Sequence, residues 1–243
     1  MNMPEDGFGW LVHRQWPAGV VEDAHGWLLR YAGGVTKRAN SVLPRAEPGD
    51  IEAAIGAAER CYRERGLPVV FSLDAGARPF GLDTLLAARG YAEVDPTLIM
   101  TRPLDQRWTA TAHRVVLAEG PSQEWLARWW ATDGRGDPGP PEAARRIVCG
   151  VPSVYAAIGD GTPDAVGRVT VTDGWAGVYC MAVAPERRRA GLGRSVLAAL
   201  LDAAAERGAH HAYLAVVAAN APARGLYSGM GFTVTDGYHY RVG

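Results

Sequence analysis

The most constraining feature of this sequence is a segment rich in arginine and glycine that separates two apolar stretches. Gly177–Val183 has the apolar character of a strand, and the residues after it include Arg188-x-x-Gly191-x-Gly193. From Gly191 to Arg207, apolar residues recur at helical spacing, which predicts an amphipathic helix that Gly208 ends. The apolar stripe of this helix would consist of Leu192, Val196, Leu197, Leu200, Leu201 and Ala204.

A glycine-rich helix start of this kind can bind an anion. The first backbone N–H groups of a helix have no acceptor within the helix, and the helix dipole favours negative charge there. Glycine lets a phosphate approach the backbone closely. The added positive charge comes from Arg187, Arg188, Arg189 and Arg194. The segment therefore indicates a pyrophosphate site, and the alternative is a basic, solvated helix start.

Two other phosphate-binding motifs do not fit this segment. A dinucleotide-binding motif requires a third glycine at GxGxxG spacing and a βαβ unit with a downstream acidic residue for the ribose. A P-loop requires a lysine followed by serine or threonine. The residues after Arg188 meet neither requirement.

A second motif follows the first at a definite distance. Asn220-x-x-Ala223-x-x-Leu226-Tyr227-x-x-x-Gly231-Phe232 begins 32 residues after Arg188, which leaves room for one helix and one strand. Together the two motifs resemble those of the GCN5-related N-acetyltransferase (GNAT) superfamily, closely from near Ala110 to Gly243. The resemblance implies an α/β (α+β) fold in which a central mixed, mostly antiparallel sheet is flanked by helices.

The resemblance also assigns binding roles. Backbone groups of Met181 and Val183 would pair with the pantetheine arm of acetyl-CoA like an added strand. The helix start would hold the pyrophosphate, Asn220 would contact the cofactor, and Arg224 would lie near its phosphate end. The expected acetyl-CoA-binding residues are Met181, Ala182, Val183, Arg188, Arg189, Ala190, Gly191, Leu192, Gly193, Arg194, Ser195, Asn220, Arg224 and Tyr227.

Two residues are expected to act in acetyl transfer to an amine. The resemblance places the Tyr227 hydroxyl near the thioester sulfur, and a tyrosine pKa of about 10 suits a general acid that protonates the leaving thiolate. The N–H of Val183 is expected to stabilise the oxyanion. The alternative for Tyr227 is an aromatic ring that packs under the Gly-Phe turn.

The general base that would deprotonate the acceptor is not evident. Many GNAT relatives have a carboxylate on the strand before the pyrophosphate segment, but Trp175–Met181 contains no acidic residue. Asp173, Asp236 or His239 could act through water, although each also suits a turn or the surface. Because Cys180 is on a strand, packing suits it better than a role as nucleophile, and direct attack in a ternary complex is favoured.

The N-terminal half repeats the layout without the glycine motif. Three pairs of landmarks lie 141 or 142 residues apart: Pro44 and Pro185, Gly66 and Gly208, and Gly90 and Gly231. Leu43–Ile51 has acidic residues where phosphate would bind, and Gly81–Leu86 lacks a tyrosine. We therefore expect two tandem GNAT-like domains, organised as in mycothiol synthase: a degenerate one without a CoA motif at residues 1–108, and a catalytic one at 109–243.

Apolar patterns and turn residues predict the other elements. In the first half, strands are expected at Trp27–Tyr31, Ser41–Leu43, Val69–Leu73 and Thr97–Met100, and helices at Asp50–Arg65 and Leu82–Arg89. In the second half, strands are expected at His113–Ala118, Ser153–Ile158, Gly167–Val171, Tyr213–Val217 and Phe232–Val242, and helices at Ser122–Ala131, Pro141–Cys149 and Ala221–Ser228. The polar segment Pro103–Thr111 would link the domains, and Asp133–Pro141 would be a loop.

Two groups of residues fit more than one role. Trp125, Trp129 and Trp130 could line an acceptor cleft, with core packing expected for at least two of them. A polar and aromatic group in the N-terminal half could face an acceptor or could belong to an ordinary hairpin. Its members are Trp27, Arg30, Thr36, Lys37, Arg38, Asn40 and Ser41.

Composition argues against several other classes of protein. The formal net charge of -1 gives no general attraction for nucleic acid or an anionic membrane, and no apolar run is long enough to span a bilayer. The three cysteines lie far apart and the histidines lack metal-binding spacing, so neither disulfides nor a metal site is expected. We expect a cytoplasmic monomer or homodimer, because the first residues do not resemble a signal peptide.

The expected function is transfer of an acetyl group from acetyl-CoA to a primary amine of a small molecule or peptide. The alternative is a non-catalytic CoA-binding or protein-interaction module on the same scaffold, which the missing acidic residue favours. A longer acyl-CoA or an aminoacyl donor also stays open. The acceptor is not identified, because specificity in this fold lies in variable loops.

Overall fold

The computed structural model of the protein describes residues 3–107, 111–132 and 141–243. In these ranges the helices are α1 Gly7–Gln15, α2 Ile51–Glu64, α3 Leu82–Ala88, α4 Gln123–Thr132, α5 Glu142–Cys149, α6 Leu192–Glu206 and α7 Ala221–Ser228. The strands are β1 Val20–Ala24, β2 Trp27–Tyr31, β3 Val42–Pro44, β4 Val70–Asp74, β5 Ala92–Pro103, β6 Val116–Ala118, β7 Val154–Ile158, β8 Ala165–Thr172, β9 Trp175–Val183, β10 His211–Val217 and β11 Thr233–Val242. None of these helices is long and apolar enough to cross a membrane.

The described residues form two compact units. The N-terminal unit contains Met3–Leu98, Val217–Ala219 and Asp236–Gly243, and the C-terminal unit contains Ile99–Val216 and Asn220–Thr235. Strands β5 and β11 each contribute residues to both units, so neither unit is one continuous piece of chain. Residues 108–110 of the predicted linker and 133–140 of the predicted loop lie outside the described ranges, and the domain boundary at 108 and 109 stays a prediction.

The C-terminal unit contains a mixed sheet in the order β6-β7-β8-β9-β10. The first four strands pair antiparallel, and β10 runs parallel to β9. Helix α6 packs on β7, β8 and β9, and all six residues of its predicted apolar stripe are buried. The β8–β9 turn consists of Asp173 and Gly174, with φ values of 51° and 73°, as a two-residue hairpin turn requires.

The N-terminal unit shows the same succession of elements. Strands β1, β2 and β3 pair antiparallel, β4 runs parallel to β3, and the last part of β11 pairs antiparallel with β4. Helix α2 links the two parallel strands in the chain, as α6 does in the other unit. The predicted fold class, with mixed and mostly antiparallel sheets flanked by helices, is confirmed, and the shared succession supports an internal repeat.

The sequence patterns missed helix α1 and strand β1 and misjudged the lengths of several strands. Helix α1 was not predicted because Gly7 and Gly9 in its first turn are poor helix formers, and its buried residues Phe8, Leu11, Val12 and Gln15 include a polar one. Strand β1 was not predicted because four of its five residues are exposed, which removes the alternating pattern. Strand β5 is longer than the predicted Thr97–Met100, and β6 is shorter than the predicted His113–Ala118.

The close packing of α6 on the sheet depends on the absence of a side chain at Gly167 in β8. A Cβ atom there would lie 2.7 Å from Met181 Sδ, 2.7 Å from Val196 Cγ1 and 2.9 Å from Leu200 Cδ1. We expect Gly167→Ala to lower the free energy of unfolding by about 1–3 kcal/mol through overpacking. Denaturant unfolding would measure this decrease in the free energy of unfolding. Gly120→Ala is the control, because a Cβ at Gly120 has no neighbour within 4 Å; equal losses in both variants would contradict the packing argument.

Candidate active site

Strands β9 and β10 part before either strand ends. Their parallel register runs from Trp175 opposite His211 to Val178 opposite Leu214, while β9 continues to Val183. Cys180 lies just beyond the last pair and has a φ of 55°, which is uncommon for a residue with a side chain. The β8–β9 register also shifts here. A bulge bends and twists its strand, so this irregularity accounts for the divergence of β9 from β10.

The divergence leaves backbone groups of β9 directed away from β8. The N–H of Ala184 donates to the carbonyl of Asp164 at the end of the β8–β9 ladder, at 2.8 Å. Because N–H groups of consecutive strand residues point to opposite edges, the N–H and carbonyl of Val183 point to the other edge. The same alternation directs the backbone groups of Met181 to that edge, on the side where β10 has separated.

A helix start without a side-chain cap follows directly. After a short helical turn at Pro185–Arg187, Arg189 and Gly191 have φ values of 65° and 81°, and Gly191 is the N-cap residue of α6. As a glycine, Gly191 has no side chain to cap this helix. The first N–H groups of α6 are therefore available to an anion, and an anion site here stays a prediction.

The arginines of this segment differ in their contacts. Arg187 forms an ion pair with Asp164 at 3.1 Å, and Arg194 donates to the Gly229 carbonyl at 3.1 Å. Arg188 and Arg189 are exposed, and Arg188 Nε lies 3.5 Å from the Val183 carbonyl oxygen. These two guanidinium groups are the better placed of the four to meet an incoming anion, because they have no carboxylate partner among the described residues.

Gly193 joins the three elements of the site. A Cβ atom at Gly193 would lie 3.3 Å from Leu226 Cδ2 of α7 and 3.5 Å from Val183 Cγ2 of β9. The second glycine of the motif therefore lies where α6, α7 and the end of β9 meet. Leu226 precedes Tyr227, so this contact also fixes the position of the predicted general acid.

His113 is a site residue that the sequence reasoning missed. Its Nε2 atom lies 2.8 Å from the carbonyl oxygen of Ala190 and 3.7 Å from the position of a Cβ on Gly191. The histidine comes from the segment before β6, 77 residues earlier in the chain. No spacing pattern connects these residues in the sequence, so no local signal could have found this contact.

Helix α7 carries the second motif. The Asn220 side chain caps this helix by accepting a hydrogen bond from the N–H of Ala223 at 3.2 Å. Arg224 is exposed, and Tyr227 is buried with its ring 6.2 Å from that of Phe232. The structure thus places Asn220 and Tyr227 on the helix that contacts Gly193, and it gives Asn220 a capping role that the motif alone did not reveal.

The surroundings of Tyr227 affect its acidity. Burial of the phenol raises its pKa to about 12, because desolvation disfavours the phenolate. The hydroxyl has no hydrogen-bond partner among the described residues. It therefore stays protonated at neutral pH and keeps its proton available for donation.

Comparison with known proteins fits this geometry. The family model described as "Probable histone acetyltransferase Rv0428c C-terminal" matches residues 12–241. The chain is 33% identical over 241 residues to the uncharacterized N-acetyltransferase YobR of Bacillus subtilis, covering 96% of both chains. This chain belongs to the GNAT superfamily. It is accordingly a GNAT-type acyltransferase.

Solved GNAT structures agree with this fold. A GCN5-related N-acetyltransferase from Kribbella flavida has a TM-score of 0.67 at 19% identity, covering 95% of this chain and 90% of that chain. A tandem GNAT protein from the clavulanic acid biosynthesis pathway has a TM-score of 0.62 at 14% identity, covering 97% and 86%. At these identities the likeness concerns the fold alone.

In the described residues of the N-terminal unit, the protein's own side chains bind at the strand ends and the helix start that correspond to the candidate site. Strands β3 and β4 are paired only through Val42 and Phe71. Beyond that pair, Arg45 binds Asp74 through two bonds of 2.6 Å, so an internal ion pair connects the strand ends. Asp50 caps α2 by accepting bonds from the N–H groups of Glu52 and Ala53, at 2.9 and 3.0 Å. The protein's own carboxylate therefore occupies the position that an anion would take.

Most of the polar and aromatic group in the N-terminal half serves internal structure. Trp27, Arg30, Asn40 and Ser41 are buried. Arg30 donates to the carbonyl and hydroxyl of Ser41, at 3.0 and 2.7 Å, and the Asn40 side chain accepts from the N–H groups of Ala32 and Gly34. These contacts favour the hairpin interpretation over an acceptor-facing role.

The other residues that the sequence suggested for an acceptor cleft or a general base either pack in the core or make polar contacts. Trp125 and Trp129 are buried, which confirms the packing role expected for two of the three tryptophans. Asp173 is a turn residue. Burial raises the pKa of the Asp236 carboxyl, and His239 Nε2 lies 2.9 Å from Asp83 Oδ1. Asp236 and His239 belong to the N-terminal unit, and Asp173 is explained by the hairpin, so the general base stays unassigned.

The cap of α2 is directly testable. We expect Asp50→Ala to lower the free energy of unfolding by about 1 kcal/mol, because two helix N–H groups lose their acceptor. Asp50→Asn should keep most of the stability, since an amide oxygen can accept the same bonds. Denaturant unfolding compares the two variants. An Asn variant as unstable as the Ala variant would show that the carboxylate has another role.

Proposed function

We propose that the protein transfers an acetyl group from acetyl-CoA to a primary amine of a small molecule or peptide, by direct attack in a ternary complex. The main support is the open edge of β9 beside the uncapped start of α6. An extended pantetheine chain can pair with the backbone groups of Met181 and Val183, while a pyrophosphate meets the helix start. The two features are adjacent in the chain and match two parts of one ligand.

The residues present fit acetyl-CoA. The N–H groups of Arg189 through Arg194 would hold the pyrophosphate, with Arg188 and Arg189 adding positive charge. The side chain of Ala182 is small and buried, so it supports the strand without blocking its open edge. Arg224 would meet the phosphate end. Asn220 would act mainly by capping α7, which positions Tyr227 on the same helix.

Acetyl-CoA supplies an activated acetyl thioester. The N–H of Val183 is assigned to stabilise negative charge that develops on the acetyl oxygen, because it points to the open edge of β9. Tyr227 donates the proton that the departing thiolate accepts, and its raised pKa keeps it protonated. The acceptor amine loses its proton through water, since Trp175–Met181 offers no carboxylate.

The N-terminal unit is proposed to be a degenerate GNAT-like domain without a CoA site. Its strand ends are joined by Arg45 and Asp74, and its helix start is capped by Asp50. The second candidate function is a non-catalytic CoA-binding or protein-interaction module on the same scaffold. The missing carboxylate on β9 favours that candidate, and turnover with acetyl-CoA decides between them. The cytoplasmic location stays a prediction.

Binding of acetyl-CoA can be tested at the two ends of α6. Gly191 and Gly208 have similar left-handed φ values of 81° and 84°, so an aspartate strains both positions alike. We expect Gly191→Asp to raise the Kd for acetyl-CoA about tenfold or more, because it adds negative charge at the anion-binding end. Gly208→Asp should leave the Kd within about twofold.

Isothermal titration calorimetry on both variants and the unaltered protein measures this difference. One equivalent of acetyl-CoA per chain is expected. If the unaltered protein does not bind acetyl-CoA, or if both variants lose binding equally, the proposed cofactor site is wrong.

The pH dependence tests the role of Tyr227. Because the pKa of Tyr227 is raised to about 12, its hydroxyl stays protonated below that pH. Loss of its proton therefore does not lower kcat/KM between pH 7 and 10. An alkylamine acceptor with a pKa of about 10.4 loses its proton as the pH rises, so kcat/KM should increase over this range. Steady-state kinetics with acetyl-CoA and an amine acceptor measures the profile.

We expect Tyr227→Phe to lower kcat about a hundredfold while the Kd for acetyl-CoA changes little, as loss of a general acid requires. Tyr31→Phe on β2 serves as the control and should keep full activity. An unchanged kcat in Tyr227→Phe would overturn the general-acid role.

A further inference from the structure

The N-terminal unit contains an open cavity of about 440 Å³. It lies among the end of β4, the loop at residues 75–81, the start of α3, and parts of β5 and β11. Its apolar lining includes Leu73, Pro79 and Leu98. A cavity of this size is within the range of pockets that bind small molecules, which is about 300–1,000 Å³.

One wall of the cavity carries an ionised carboxylate with acceptor capacity to spare. Asp83 Oδ1 accepts bonds from Arg241 Nε at 2.7 Å and lies 2.9 Å from His239 Nε2. The hydrogen bond from Arg241 is the main cause that lowers the pKa of Asp83, so this residue is negatively charged at neutral pH. The second oxygen, Oδ2, has no hydrogen-bond partner among the residues that the structure describes.

A second carboxylate strengthens the negative character of the wall. Glu93 also lines the cavity, and its contact with Arg241 is long, at 3.4 Å. A carboxylate can accept about four hydrogen bonds, and this contact uses one. The third carboxylate in the lining, Asp74, is already taken by Arg45. The lining residues include no lysine or arginine.

An aromatic ring lies at the same cavity. Phe80 is 96% exposed, the highest value among the large apolar side chains in the described ranges. An aromatic face attracts an organic cation electrostatically, and its apolar area favours an apolar ligand. The cavity therefore combines carboxylate acceptors, an available ring and apolar walls, which together match a cation that carries an apolar group.

We propose that this cavity binds an organic amine, with its ammonium group at Asp83 and Glu93 and its apolar part against Phe80. An amine is also the acceptor class that the proposed acetyl transfer requires. The binding site does not depend on that reaction, however, because its test contains no acetyl-CoA.

The test uses three small probes that each carry one benzene ring and differ in charge: benzylamine, benzyl alcohol and benzoate. Proton–nitrogen NMR of the full chain follows the backbone amides of Gly81 and Gly237, which line the cavity. Gly120 and Gly208 belong to the other unit and serve as reference amides. We expect benzylamine to bind about three- to fivefold more tightly than benzyl alcohol, and benzoate to bind most weakly.

Two variants separate the contribution of the negative charge to binding from that of the aromatic ring. Glu93→Gln should reduce benzylamine binding about threefold and leave benzyl alcohol unchanged, because only the charge is removed. Phe80→Ala should weaken both probes. Because the Phe80 side chain is exposed, its removal should leave the protein folded, and a thermal melt checks this. Val116→Ala, at an exposed apolar residue of β6, is the matched control and should change neither affinity.

The proposal is overturned if the three probes bind equally, if none shifts Gly81 and Gly237, or if both variants bind like the unaltered protein. Acetyl-CoA binding by the Gly191→Asp series is measured separately. A failure of the amine site therefore cannot be mistaken for a failure of the acetyltransferase site.

Discussion

The parting of β9 and β10 after Val178 is the constraint on which the acetyltransferase site depends. Backbone N–H and carbonyl groups inside a sheet are nearly always paired, so an open strand edge needs a partner from elsewhere. Here the positive φ of Cys180 marks the place where regular pairing stops. The end of β9 then leads directly into the uncapped start of α6. The irregular strand and the helix start are separated in the chain only by a short segment that includes the turn at Pro185–Arg187.

The two units share a succession of strands and helices but differ in the residues at the strand ends and at the helix start. In the N-terminal unit, the protein supplies its own charges: Asp50 at the helix start and the Arg45–Asp74 pair at the strand ends. In the C-terminal unit, Gly191 is at the helix start, and the proposed acetyl-CoA would supply the negative charge there. The difference lies in a few side chains at the ends of otherwise similar elements, which is why fold alone does not define function.

The parts that could be predicted are those with a local cause. The apolar stripe of α6 follows from the spacing of residues within a short segment, and it is present as expected. The His113–Ala190 contact could not be predicted, because it joins residues far apart in the chain. The open edge of β9 was expected only through the family resemblance, because no local pattern in the sequence shows where β9 and β10 part. Helix α1 was not predicted because two glycines, Gly7 and Gly9, lie in its first turn and disfavour a helix.

The division of β11 between the units has a consequence for synthesis of the chain. Strand β4 is completed by Tyr238–Val242, which are made after all residues of the C-terminal unit. Domains usually fold as they emerge, beginning with the N-terminal one. In this protein, β4 keeps one edge unpaired until Tyr238–Val242 have been made, and such an edge invites wrong pairing. The N-terminal unit therefore cannot be completed before the C-terminal unit has been synthesised.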